Sequence, residues 1–237
     1  MTNGIFIWCG DSWTKGGELP LHQRKDNGFT GLVSEALKFK NFNFARSGSS
    51  IGHLVYDVDR IIKVKQKTNL PVIALFGLTV HSRLCLENQV GHKKTISANT
   101  YDTNAYVNWA HNILNDEFLL KECCLSLSWI GHQLQQANIP YAFYNILSSF
   151  YDFEKSKFSK YLDREKWLVN PYWNTYGHLF DLEKFDINKM QVLEKCSFGK
   201  KRLAELFMPG MHPNAQGHKM IADTLLPEIE QLIKVNL

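Results

Sequence analysis

Two short runs, GIFIWC at 4 to 9 and PVIALFG at 71 to 77, are apolar at nearly every position rather than at every second one. A strand with one face in water alternates apolar with polar residues, so an unbroken run marks a strand covered on both faces. Such strands pair in parallel, and their connections cross over through helices. The intervening sequence fits. Phe29, Leu32, Val33, Ala36 and Leu37 recur at helical spacing within 28 to 39, as do Leu54, Val58, Ile61 and Ile62 before Pro71. Residues 41 to 45 and 139 to 146 read as two further strands, 104 to 138 as a long helix, and 215 to 234 as a final helix containing Pro227.

This alternation predicts an α/β fold: a three-layer α/β/α sandwich around a central parallel sheet of about five strands, the fifth short and near 204 to 208. With 237 residues, 44% of them hydrophobic, the chain is long enough to bury a large core. No repeat or low-complexity linker divides it, so one domain spanning 1 to 237 is expected. Residues 81 to 102 read as irregular. A long insertion at about 146 to 202, with FYDF, WLVNPYWNTY and FDLEKF, reads either as a cluster packed on the sheet edge or as a substrate wall.

The net charge of +4 is spread along the chain, with KKR at 200 to 202 as the densest basic run. That distribution does not form a nucleic-acid footprint. Five cysteines without regular spacing do not form a disulfide framework, and no apolar run is long enough to span a membrane. A cytoplasmic location is expected, with association with a viral particle left open. The nine histidines are scattered, and neither a phosphate loop, a dinucleotide fingerprint nor a zinc helix is present. No metal and no cofactor is expected.

Ligands of an open parallel sheet bind beyond the carboxyl ends of its strands. Gly10-Asp11-Ser12 follows the first strand, Gly48 the second, and Gly77-Leu78-Thr79 ends the third. Near the other terminus, MPGMHPNAQGH at 208 to 218 places His212 in a loop before the last helix. A serine hydroxyl attacks poorly unless a neighbouring base removes its proton, and an imidazole at the same rim supplies one. Asp11 reads as a brace for the turn through hydrogen bonds. His218 reads as a helix-surface residue, while His53 and His81 read either as solvent-exposed or as facing the pocket.

GDS near the start together with HPN near the end resembles the SGNH hydrolases, also called GDSL esterases and lipases. The resemblance implies a flavodoxin-like strand order and acyl transfer with Ser12 as nucleophile and His212 as general base. It implies an oxyanion hole from the backbone N–H groups of Ser12 and Gly48, the latter in NFARSGSS, with Thr79 standing where the family has an asparagine. Pro209 stands where the family has its triad aspartate. A backbone carbonyl could orient His212, or an acid from elsewhere such as Glu205, Asp152 or Asp181; alternatively, catalysis has been surrendered. The expected substrate is a small-molecule or carbohydrate-linked ester, such as an acetate. Two rival readings are an inactive protein that binds carbohydrate or serves in an assembly, and a flavodoxin-like module holding a phosphate ligand.

Overall fold

In the computed structural model, residues 2–80, 83–87, 93–97, 116–147, 150–180 and 197–237 are described. The first strand, β1 (Gly4–Cys9), is buried at all six positions. It lies inside a four-stranded sheet with β2 (Phe39–Asn43), β3 (Val72–Leu78) and β6 (Tyr141–Asn145), in the order β2-β1-β3-β6. Every pairing is parallel: Ile5 lies opposite both Lys40 and Val72, and Ala74 lies opposite Tyr141.

Period-two alternation sends each strand's side chains into two different cores. Ile5, Ile7 and Cys9 of β1, with Val72, Ala74, Phe76 and Leu78 of β3, meet α4 (Ile51–Gln66) and α5 (Asp116–Gln136) on one face. Phe6 and Trp8, with Ile73 and Leu75, meet α3 (Phe29–Ala36) and α9 (Ala215–Asn236) on the other. Both faces of β1 and β3 are therefore dry, as the unbroken apolar runs require. The short α1 (Ser12–Lys15) and α2 (Leu21–Asn27) connect β1 to α3.

Among the described residues the sheet has four strands rather than five. Residues 204 to 208, expected as a strand, instead close α8 (Ser197–Leu206) and enter the next loop. KKRLAEL is made of good helix formers, and Leu203, Leu206 and Phe207 share one face at helical spacing. The outer edge of β6 is covered by the insertion, through single parallel bridges from Phe143 to Trp167 and from Asn145 to Asn174. Asn145 Nδ2 adds bonds to Pro171 O at 2.7 Å and Trp173 O at 3.0 Å.

The described part of the insertion, with α6 (Phe150–Glu154) and α7 (Thr175–Leu179), thus wraps an otherwise open edge. Phe150, Phe153 and Trp167 enter one core, while Leu168, Tyr176, Leu179 and Phe180 enter the other. Residues 81 to 102, expected as irregular, contain an antiparallel pair, β4 (Arg83–Glu87) with β5 (Lys93–Ser97). The alternation of Leu84 and Leu86 with Arg83, Cys85 and Glu87 is the sequence signal for it. Of the predicted helix at 104 to 138, residues 104 to 115 lie outside those described.

His218 is not on the surface of α9 but fully buried. It shares an inward stripe with Ile221, Ala222 and Leu225, at offsets of three, four and seven residues, and its ring lies 5.6 Å from that of Phe29. Neither ring nitrogen has a hydrogen-bond partner among the described residues. Burial, with a smaller effect from nearby His212, pushes its pKa down to about 3 from an ordinary 6.5. The unfolded chain therefore takes up this proton first, so the contribution to stability is complete above about pH 6.5 and drains as pH falls towards 3. Wild-type protein should lose about 3 kcal/mol between pH 7 and pH 4.5 that His218→Leu does not lose. Urea unfolding of both proteins at the two pH values checks this, and equal losses would refute it.

Candidate active site

Because all four central strands are parallel, their carboxyl ends share one rim, and β1 delivers Gly10-Asp11-Ser12 there. Asp11 is buried, and its carboxylate accepts the Trp13 N–H at 2.9 Å, capping α1. Ser12 is the first residue of that short helix. Gly16 then ends it in the left-handed conformation, with φ 74°, turning the chain towards Gly17 and Glu18.

His212 comes from the far end of the chain. Its loop is closed by an antiparallel bridge from Phe207 to Pro213, by Met208 N–H on His212 O at 2.7 Å, and by Asn214 N–H on Leu206 O at 2.8 Å. The Asn214 side chain caps α9 by accepting from Gln216 and Gly217 N–H, both at 3.0 Å. Trp13 packs against Tyr176 and Phe207, with ring centroids at 5.9 Å and 5.8 Å, which ties α1 to both the insertion and the histidine loop.

These supports bring His212 Nε2 within 2.7 Å of Ser12 Oγ across 200 residues of sequence. Gly17 makes the approach feasible: a Cβ there would stand 2.9 Å from His212 Cδ2. On the other side of the imidazole, Glu18 Oε2 lies 3.2 Å from Nδ1. That contact is not aligned for a hydrogen bond, and Nδ1 is buried without an aligned partner among the described residues. Glu18 Oε2 also accepts the Gly210 N–H at 3.0 Å.

Sequence reasoning did not single out Glu18. The acids it named do other things: Glu205 lies 3.9 Å from Lys201 and Asp152 pairs with Lys155 at 3.1 Å. Asp181 and His81 lie outside the described residues. The signal for Glu18 was its place at the end of the nucleophile turn, in TKGGEL, where two glycines let the chain double back.

Gly48 has φ 71°, and a Cβ built on it meets nothing within 4 Å, so this backbone faces open space. Its loop is anchored from beneath. Arg46 N–H bonds to Gly10 O at 3.0 Å, and Ser49 N–H returns to Arg46 O at 3.1 Å. The Arg46 guanidinium meets buried Asp57 at 2.8 Å, and Arg60 holds the second carboxylate oxygen at 2.9 Å. Thr79, just past β3, is buried. His53 neither faces solvent nor stands free: it is buried at the start of α4, its Nδ1 accepting Ser50 N–H at 3.2 Å.

Cys9, Cys123 and Cys124 are buried free thiols, and burial raises the pKa of each, to about 11 for Cys124. Among the described residues, no cluster of three metal-ligating side chains occurs, and no helix is long and apolar enough to cross a membrane.

Comparison with solved structures shows that the chain shares the fold of an acetyl-xylooligosaccharide esterase and of TesA. A mutant of Axe2, an acetyl-xylooligosaccharide esterase from Geobacillus stearothermophilus, superposes with a TM-score of 0.54 at 15% identity, over 97% of this chain and 96% of that one. TesA superposes with a TM-score of 0.52 at 10% identity, over 96% and 99% of the two chains. A G-D-S-L lipolytic protein from Veillonella parvula aligns over 95% and 98%, with 14% identity and a TM-score of 0.45. No protein-family model and no curated protein matches the sequence.

The buried Asp57 should matter more than its distance from Ser12 suggests. Asp57→Asn leaves two guanidinium groups without their shared charge and loosens the Gly48 loop. The expected cost is about 2 kcal/mol, moderated because both arginines are partly exposed, and it is read by denaturant unfolding. A loss under 0.5 kcal/mol would show that the loop is held by its backbone bonds alone.

Proposed function

We propose that the chain forms one domain and is a serine ester hydrolase, with Ser12 as nucleophile and His212 as general base. The observation that carries this reading is the 2.7 Å contact between Ser12 Oγ and His212 Nε2. A hydroxyl and an imidazole within hydrogen-bond reach, at the strand ends of a parallel sheet, form the arrangement that activates a weak nucleophile. The similarity to esterase structures supports the reaction class, and the Axe2 mutant favours a small acyl group such as acetyl, carried by a small molecule or a sugar.

In this mechanism Ser12 Oγ bonds to the acyl carbon while its proton passes to His212 Nε2. The carbonyl oxygen becomes an oxyanion, which the backbone N–H groups of Ser12 and Gly48 receive, with the Thr79 hydroxyl as a third donor. Collapse of the tetrahedral intermediate breaks the ester C–O bond, and the departing alkoxide takes the proton from Nε2. Water then attacks the acyl-enzyme by the same sequence of steps and releases the acid. The protein's own groups complete the cycle without a metal or organic cofactor. The open space beside Gly48 accommodates an incoming carbonyl.

A fluorophosphonate probe, followed by p-nitrophenyl acetate and a panel of sugar acetates, tests this reading. Wild-type protein should form an adduct on Ser12, and both Ser12→Ala and His212→Ala should lower turnover by about 10⁴-fold or more, because nucleophile and base act as a unit. Near-wild-type turnover in Ser12→Ala would reject the assignment. A wild-type protein that neither labels nor turns over, yet binds an acylated sugar, would establish the binding reading instead.

A further inference from the structure

Proline at position 209 leaves the loop of His212 without an acid, yet the imidazole is not alone. We propose that Glu18, from the nucleophile's own turn, is the positioning residue that orients His212 and stabilises the imidazolium formed during attack. This inference rests on the hydrolase reading and assigns the third member of its proton-transfer chain.

Four observations converge on it. Glu18 Oε2 stands 3.2 Å from Nδ1, the nitrogen facing away from Ser12. That nitrogen is buried and has no aligned hydrogen-bond acceptor among the described residues, leaving Glu18 as the anion within ion-pair reach. The carboxylate is fixed rather than free, because the same oxygen accepts the Gly210 N–H at 3.0 Å. Gly210 itself leaves the necessary room, since a Cβ there would overlap the Glu18 carboxylate.

The backbone adds a further sign. Glu18 has φ 65° and Met211 φ 66°, left-handed conformations that cost a non-glycine residue of order 1 kcal/mol each. They flank the imidazole from the two segments that meet there, and strain of this kind persists only where surrounding contacts hold it.

The chemistry is balanced without any further group. When the Ser12 proton arrives on Nε2, both ring nitrogens carry hydrogen. Nδ1–H then donates to Glu18, which stays ionised throughout, and the bent contact straightens as positive charge develops on the ring. Before attack, the same carboxylate selects the tautomer that keeps the proton on Nδ1 and leaves Nε2 free to accept.

The test compares wild type with Glu18→Gln, Glu18→Asp and Gly210→Ala. Kinetics on p-nitrophenyl acetate across pH are paired with proton NMR of the His212 Nδ1–H in histidine-labelled protein. Glu18→Gln still accepts from Gly210, so it should fold normally while losing about 10²- to 10⁴-fold in kcat, with KM within threefold. Its Nδ1–H resonance should shift or vanish, and the acid limb of its pH–rate profile should move. Glu18→Asp should recover part of the rate. Gly210→Ala, which keeps the charge but displaces it, should reproduce the kinetic loss.

A Glu18→Gln enzyme within threefold of wild type in kcat overturns the proposal, as does an unchanged Nδ1–H resonance. If wild-type protein neither labels with fluorophosphonate nor turns over esters, the hydrolase reading falls separately. The Glu18 contact is then judged on the resonance alone: a shift or loss in Glu18→Gln supports it, and no change refutes it.

Discussion

Everything in this molecule hangs on strands that are apolar on both faces. Each central strand must hide two sets of side chains, so the sheet needs a helical layer above and below, and β1 feeds a separate core on each side. Only crossover connections supply those layers, and crossovers make the strands parallel. Parallel strands in turn end together. The coincidence of Ser12, Gly48 and Thr79 near one rim is a consequence of hydrophobic patterning before any chemistry is considered.

Getting the histidine there is a different problem, because its loop belongs to no strand of the sheet. The solution is local closure: a bridge between Phe207 and Pro213, an asparagine cap on α9, and the packing of Phe207 against Trp13. The helix that presents Ser12 therefore also carries the aromatic wedge on which the loop of His212 rests. One short segment, residues 11 to 18, supplies the cap Asp11, the hydroxyl Ser12, the wedge Trp13, the clearance at Gly17 and the carboxylate of Glu18. Such density favours a common purpose for these groups, since a turn needed only to join a strand to a helix has no use for a carboxylate aimed at a residue 194 positions away.

The parts legible in the sequence were those set by periodicity. The strands at GIFIWC and PVIALFG and the helical faces of α3, α4 and α9 follow from repeats of two and 3.6 residues. Compact motifs marked Ser12 and His212, although the two stand 200 positions apart in sequence. What was not legible is what tertiary context decides. Residues 204 to 208 satisfy either a strand or a helix by composition, and the edge of β6 was already taken by Trp167 and Asn174, so helix prevailed. His218 reads as polar by type, yet its offsets from Ile221 and Leu225 placed it on the buried stripe, where position outweighed chemistry. Glu18 was not singled out for another reason: an acid brought up through space has no fixed spacing to its partner.

The same point bears on whether the loss of the expected acid disarmed the protein. Gly210, whose missing Cβ makes room for the Glu18 carboxylate, and the left-handed Glu18 and Met211 lie on either side of one imidazole. Each left-handed residue costs backbone energy of order 1 kcal/mol. A purely structural ion pair is a weak counterargument, since a partly exposed histidine–glutamate contact contributes at most about 1 kcal/mol and does not outweigh two strained residues. Under the proposed mechanism, orienting the imidazole that faces Ser12 is the use that offsets this strain.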